Sequence, residues 1–304
     1  MEEAVDAAYG MLAAVMDGQV RRDEPLARHT SFRIGGPADL LVQPSSTTEL
    51  AAVVRVAAAT ALPVIVLGAG SNLLVGDGGI RGIVVKLGAG FRDVAWTADG
   101  VTAGAAVQVG KLARAAVTRG VSGLEFAEGI PGTVGGALFM NAGAYGGEIG
   151  PVVAAVAGVT AAGVCETLPA ERLDFAYRRS GLPAGFLVTA VTFRLAPMAS
   201  SAVARTLAEI RDRRVASQPQ GTSNAGSIFK NPPRDFAGRL IEACGLKGRR
   251  VGGAHISERH ANFIVNDGGA RAGDVQALMA EAQRAVWERS GVWLEPEIRL
   301  VGAW

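Results

Sequence analysis

Apolar positions along this chain recur at two spacings, and the changes between them outline its elements. Residues 1–20 place apolar side chains at helical intervals, which predicts a leading helix. From Phe32 to Val42 the pattern becomes strand-like around the Gly35-Gly36-Pro37 break. Ser45–Thr48 offers N-caps to an Ala-rich helix running to about Thr60, with Glu49 in its first turn. Pro63–Leu67 reads as a buried strand, Gly68-Ala69-Gly70-Ser71-Asn72 as its exit loop, and Leu73–Val75 as a short apolar return. These elements form a β-α-β opening.

Between Ile83 and about Ala196 short strands with Gly-rich turns predominate, interrupted by a helix near Val109–Arg119. A further helix, Ala202–Val215, carries Glu209, Arg211, Asp212, Arg213 and Arg214 on exposed faces and links domains. Beyond it the pattern gives helix (Phe236–Cys244), strand (Ala261–Val265), helix (Gly273–Arg289) and strand (Val292–Val301), a compact α+β C-terminal domain. In the last strand, period-2 spacing puts Glu295, Glu297 and Arg299 on one face.

Composition narrows the class. The 304 residues are 49% hydrophobic and 19% charged, so the chain is globular and long enough for two or three domains. A net charge of +2 with no basic tract argues against nucleic acid and acidic membrane surfaces as partners. Cys165 and Cys244 match no metal or redox spacing, and the start Met-Glu-Glu-Ala-Val-Asp is acidic where a signal peptide is basic. A reducing, cytoplasmic compartment fits both. The uncharged stretches Gly129–Gly147 and Ile149–Cys165 are too rich in Gly to span a membrane; they read as Gly-rich loop followed by strand. The three histidines form no metal-ligand pattern, so no metal is expected.

Chemistry concentrates in a few segments. The strand-to-loop sequence Gly68–Asn72 suits a phosphate cradle, although Leu73 stands where a dinucleotide fingerprint needs its third glycine; a tight strand-to-strand turn is the alternative. Gly129-Ile130-Pro131-Gly132-Thr133-Val134-Gly135-Gly136 leaves little side chain to pack, which favours close backbone approach to a large planar or phosphorylated ligand. Downstream, Asn141-Ala142-Gly143-Ala144-Tyr145-Gly146 adds an amide and an aromatic. Gly226-Ser227-Ile228-Phe229-Lys230-Asn231-Pro232 presents a hydroxyl, an amine and a carboxamide in one loop, suited to an oxygen-rich anion or to an ordinary surface turn. Ser227 lacks the frame of a serine hydrolase nucleophile. Arg178, in Tyr177-Arg178-Arg179-Ser180, is either a fork for a carboxylate or phosphate, or a solvated arginine.

Taken in order, Thr30–Ala38, Leu67–Val75, Gly129–Gly136 with Asn141–Gly146, Gly226–Pro232 and Leu294–Arg299 resemble the UDP-N-acetylenolpyruvoylglucosamine reductases of bacterial peptidoglycan synthesis, nearly end to end. The resemblance implies an α+β fold: a two-lobed, PCMH-type FAD-binding domain over residues 31–196 (lobes about 31–85 and 86–196) after an N-terminal lead-in of 1–30. A smaller substrate-binding domain follows over 197–304. The shorter subclass is implied, because Tyr177–Pro197 has no room for a tyrosine-bearing insertion. Also implied are non-covalent FAD, NADPH as reductant, and UDP-N-acetylenolpyruvoylglucosamine as substrate. Ser227 matches the proton donor, with Arg178 and Glu297 at the other catalytic positions. FAD contacts are expected from Gly35, Gly68, Ala69, Gly70, Ser71, Asn72, Gly129, Ile130, Pro131, Gly132, Thr133, Gly135, Gly136, Asn141 and Gly143. Substrate contacts are expected from Tyr145, Lys230, Asn231, Asn262 and Arg299.

Two other readings remain on sequence grounds. An oxygen-using FAD oxidase on the same fold often tethers its flavin through histidine, which Gly68–Val75 lacks. A non-catalytic nucleotide-sugar or flavin-binding module needs no paired proton donor and carboxylate.

Overall fold

The computed structural model describes residues 1–16 and 18–304, with mixed helix and strand content throughout. Contacts group the chain into two units that are interleaved in sequence: residues 1–22, 40–69 and 82–214 in the first, and 23–39, 70–81 and 215–304 in the second. The expected contiguous division at 196/197 differs from this grouping, because two N-terminal stretches pack with the C-terminal segment.

The first unit holds two apolar cores, which gives it two lobes. In one, helix α1 (Glu2–Ala13) buries Val5, Ala8 and Leu12 along a single face. Helix α2 (Thr47–Thr60) starts where expected: Ser46 accepts the Glu49 N–H at 3.1 Å, and the Glu49 carboxylate accepts the Ser45 N–H at 2.6 Å. Both helices pack with Leu40, Val42, Ile83 and Val85. The associated four-stranded sheet runs in the order Val20–Pro25, Pro37–Val42, Ile80–Val85, Val64–Val66. Val64–Val66 is therefore an edge strand, and Val66 is 40% exposed, where the sequence pattern predicts a buried strand. Strand structure begins only at Pro37, not at Phe32.

The second lobe is built on a five-stranded antiparallel sheet in the order Cys165–Pro169, Val153–Val159, Leu187–Arg194, Gly100–Gly104, Val94–Thr97. Its core also takes Leu112 and Ala113 from α3 (Val109–Arg119), and Val134, Ala137 and Leu138 from α4 (Val134–Phe139). Sequence pattern missed α4 because glycines fill its first turn. The Thr133 hydroxyl caps it, accepting the Gly136 N–H at 3.3 Å, and three buried side chains hold its single core-facing stripe.

Helix α5 (Ser200–Ser217) carries the chain from the first unit into the second. There, α6 (Ala237–Ala243) and α7 (Ala272–Ser290) share a core with the antiparallel strands Arg250–Val251, Ala254–Ile256 and Ile264–Asn266. Asp77 accepts the Ala272 and Gly273 N–H groups at 3.0 and 3.3 Å, supplying the first turn of α7 with an anion. Leu73–Val75 pairs in parallel with Arg299–Val301.

Only those last residues of the expected strand Val292–Val301 are strand. Before them Pro296 offers no N–H, and the Glu297 and Ile298 N–H groups both reach Ile228 O, at 2.7 and 3.4 Å. Two donors on one carbonyl mark a bulge, which breaks the alternation: Leu294 and Ile298 are buried, and Leu300 is exposed. The strand expected at Ala261–Val265 begins at Ile264, because Ala261–Phe263 complete a turn closed by Phe263 N–H to His260 O at 3.0 Å.

Candidate active site

In the first unit the predicted loops do converge. A Cβ placed on Gly68 would lie 2.7 Å from Thr133 Oγ1, so the exit loop and the head of α4 touch only because residue 68 is glycine. Gly135 donates to Ala105 O at 2.9 Å, while Ile130 and Gly132 are bonded to Ala127 and Val109. Pro131 and Gly136 are exposed.

None of the five amides from Gly68 to Asn72 donates a hydrogen bond to any of the described residues. Successive uncommitted N–H groups on a Gly-rich loop are the donor set that an oxygen-rich anion such as a pyrophosphate requires. The residues present therefore fit the phosphate portion of a dinucleotide.

Arg178 occupies a strained turn. Ala176 and Arg179 exchange hydrogen bonds of 2.8 and 2.9 Å, leaving Tyr177 and Arg178 at the tip, with Arg178 at φ 59°. Its guanidinium donates to Gly143 O at 3.2 Å and lies 4.8 Å from the Tyr177 ring centroid. A left-handed non-glycine residue costs roughly 1–2 kcal/mol, and such strain gathers at functional positions.

Buried Asn141 braces this turn, donating to Ala176 O at 3.0 Å and accepting the Gly150 N–H at 2.8 Å. Its side-chain amide is thus committed to the Arg178 turn, so any part it plays toward a cofactor passes through its backbone or through position. The neighbouring hairpin pairs Gly143–Ala144 with Gly147–Glu148 around Tyr145 (φ 51°) and Gly146 (φ 84°), a two-residue turn of the primed kind. It presents the Tyr145 ring 40% exposed.

Arg214 is the residue that sequence pattern placed on an exposed face and the structure does not. It is half-buried against Gly129, where a Cβ would meet its Nε at 2.7 Å. Burial lowers its pKa from the ordinary value, and the neighbouring Tyr145 and Glu128 oppose that shift. A half-buried guanidinium beside a Gly-rich loop and an exposed tyrosine belongs with the candidate site. Its signal in sequence was masked by the run Arg211-Asp212-Arg213-Arg214, where every position looks solvated.

In the second unit, Ser227 and Glu297 are joined through their backbones. Phe229 bridges Pro296, Lys230 N–H donates to Glu295 O at 2.9 Å, and Glu297 N–H donates to Ile228 O at 2.7 Å. Half-buried Ser227 has no hydrogen-bond partner for its hydroxyl among the described residues, whereas the backbone that follows it is fully engaged.

Asn262 does most of that engaging. It is buried, accepts the Phe229 N–H at 3.0 Å, donates to Phe229 O at 2.8 Å, and takes the Ile228 N–H on its own carbonyl at 2.9 Å. Its amide therefore mimics a strand neighbour of Phe229. Asn231, expected at substrate, accepts the Ala237 N–H at 3.1 Å and caps α6. Lys230 pairs with Glu295 at 3.1 Å.

Asn72 donates to Glu297 O at 3.2 Å and accepts the Arg299 N–H at 2.9 Å, so the exit loop also supports the segment that carries Glu297 and exposed Arg299. The glycines at 35 and 70 answer to the protein's own packing. Gly70 has φ 66°, and a Cβ there would lie 2.3 Å from His29 O; Gly35 (φ 140°) packs on Val75. No group of His, Cys, Asp and Glu suited to a metal occurs among the described residues, and among them no helix is long and apolar enough to cross a membrane.

Comparison with known proteins assigns the class first. Residues 38–168 match the family described as FAD binding domain, which makes the chain a flavoprotein oxidoreductase of α+β, two-domain architecture. Residues 218–301 match the family described as UDP-N-acetylenolpyruvoylglucosamine reductase, C-terminal domain. The UDP-N-acetylenolpyruvoylglucosamine reductase 2 of Symbiobacterium thermophilum is 48% identical over 286 residues, covering 94% of this chain and 93% of its own. That of Syntrophotalea carbinolica is 46% identical over 292 residues, covering 96% and 97%. A crystal structure of the Thermus caldophilus enzyme superposes with TM-score 0.81 at 40% identity, covering 93% of this chain and 98% of that one. The chain belongs to the UDP-N-acetylenolpyruvoylglucosamine reductase family. Substrate-bound p-cresol methylhydroxylase shares the fold alone, with TM-score 0.57 at 10% identity over 96% of this chain and 88% of its own.

Proposed function

We propose that this protein catalyses the NADPH-dependent reduction of UDP-N-acetylenolpyruvoylglucosamine to UDP-N-acetylmuramate, with non-covalent FAD, in the supply of peptidoglycan precursors. The observation that carries the reading is the Ser227 hydroxyl, uncommitted among the described residues, on a loop whose following backbone is pinned to Asn262 and to the Glu297 segment.

FAD, when bound, would supply the hydride chemistry between NADPH and the β-carbon of the enolpyruvyl double bond. The amides of Gly68–Asn72 would hold its pyrophosphate. Hydride addition leaves an electron pair on the α-carbon, delocalised into the carboxylate, and this site needs a proton. Ser227 gives it: a serine hydroxyl is too weak an acid for most bases and donates to one as strong as an enolate held within hydrogen-bond reach. Arg178 stabilises the charge that develops on the carboxylate, since preorganised donors act most where charge appears in the transition state. Glu297 polarises that carboxylate as a neutral acid or through water. Tyr145, Lys230 and Arg299 contact the sugar nucleotide, and Asn231 and Asn262 serve it indirectly by holding the loop between them.

The test is paired turnover on purified holoenzyme. NADPH oxidation should depend on the enolpyruvyl sugar nucleotide and match product one for one. Equal NADPH consumption with oxygen alone would favour an oxidase on the same fold.

A further inference from the structure

We infer that His260 is a positioning residue for Ser227: its neutral imidazole holds the Asn262 amide, and Asn262 fixes the backbone next to the serine. The inference rests on the reading of Ser227 as proton donor.

Each link is a hydrogen bond. His260 Nδ1 accepts the Asn262 N–H at 3.2 Å. Every other polar group of Asn262 is committed to Ile228 and Phe229, the residues directly after Ser227. Ile228 O in turn carries the Glu297 N–H. The acceptor at Nδ1 is thus the outer end of a chain that runs through Asn262 to both candidate catalytic positions in this unit.

The imidazole has little freedom to do anything else. Its ring meets Phe263 edge-on, with centroids 4.9 Å apart. A Cβ at Gly238 of α6 would lie 2.9 Å from its Cε1, so the helix face against it must be bare. The His260 backbone N–H donates toward Ser257 Oγ at 3.4 Å, closing the turn beneath the ring.

Accepting through Nδ1 requires that nitrogen to be unprotonated. Protonation there would set two N–H donors against each other at the same contact, and the Asn262 amide would lose its partner. The environment opposes this. Burial is the main cause lowering the His260 pKa from 6.5, and Lys247 adds to it, while a backbone hydrogen bond and Glu242 oppose. The charged groups facing the ring are Glu242 on α6 and Lys247 just beyond it, ion-paired to each other at 2.6 Å. On its own segment, Arg259 is spent on the Val215 and Ala216 carbonyls, and Glu258 is exposed.

Asparagine separates position from charge. In His260→Asn, Oδ1 can take the place of Nδ1 and accept the N–H two residues on, as Asx turns do, and it does not titrate. His260→Leu keeps bulk and removes the acceptor. The experiment follows reoxidation of the reduced holoenzyme by substrate from about pH 5 to 8 in wild type and both variants. Amide-exchange protection at Phe229 in the wild type is followed alongside, which needs no variant to fold.

Wild type should lose roughly fivefold in reoxidation rate on the acid side, the size of one lost hydrogen bond. That limb should vanish in His260→Asn, His260→Leu should stay at the slow level at every pH, and Phe229 protection should fall as His260 protonates. An acid limb unchanged in His260→Asn, or Phe229 protection indifferent to His260 protonation, would overturn the inference. Protection that follows His260 while reoxidation ignores it would instead overturn Ser227 as donor and leave the His260–Asn262 linkage standing.

Discussion

The Glu297 N–H donates to Ile228 O at 2.7 Å, which ties the proposed carboxylate to the residue after the proposed proton donor across 69 positions of sequence. The bond exists because Pro296 cannot donate and the segment bulges around it, directing two successive amides at one carbonyl. A proton donor and a polarising acid on one short ladder have their spacing set by backbone hydrogen bonds.

The ladder leans on Asn262. Asn262→Leu would leave the Phe229 N–H and C=O buried and unpaired, at about 1–3 kcal/mol for each group. Urea unfolding should show a loss of about 2–5 kcal/mol, with FAD still bound by the surviving folded protein. A loss under half a kilocalorie would mean that water replaces the amide and the clamp is not structural.

Gly70→Ala tests what the exit-loop glycines are for. With φ at 66° and a Cβ 2.3 Å from His29 O, alanine cannot fit without moving the loop. Flavin content after purification should drop together with Tm. Full flavin occupancy at wild-type Tm would show that the loop shifts freely and that its amide geometry is not critical.

These glycines also show what was legible in the sequence and what was not. The loops themselves could be recognised from Gly spacing after a strand, and helix α2 from its Ser46–Glu49 cap. The reason for the glycines was not: Gly35 and Gly70 are demanded by Val75 and His29, partners distant in sequence. Asn262, Asn231 and Asn141 look like ligand amides in a linear reading because nothing local reveals that Phe229, Ala237 and Ala176 take up their hydrogen bonds. Arg214 lay hidden among equally charged neighbours. Short elements held by packing, such as α4, carry too few residues to display a period.

Folding stability should carry the imprint of His260. Its folded pKa is below the unfolded value of 6.5, so the folded state binds fewer protons. The corresponding stability is present above 6.5 and is lost as pH falls from there through the lowered folded value. His260→Asn should flatten that part of a chemical-denaturation pH profile, whereas an identical slope in variant and wild type would show that other groups set it.

Arg178→Ala removes the donor and leaves the left-handed backbone at φ 59° as it is, because alanine keeps the Cβ that strains it. Losing one preorganised donor to developing charge costs about 10²–10³ in rate, and the loss should fall on reoxidation by substrate, not on flavin reduction by NADPH. Equal losses in both halves, seen by stopped-flow absorbance, would assign Arg178 to flavin binding or folding.

The most direct measurement is the same two half-reactions in Ser227→Ala. Flavin reduction generates no enolate and needs no serine proton, so the variant should bind FAD with an unchanged spectrum and reduce with NADPH at close to the wild-type rate. Reoxidation by the enolpyruvyl sugar nucleotide should then stall, and Ser227→Cys should recover part of it, because a thiol can also donate a proton. Folded Ser227→Ala that reoxidises with substrate at the wild-type rate would contradict the account at its centre.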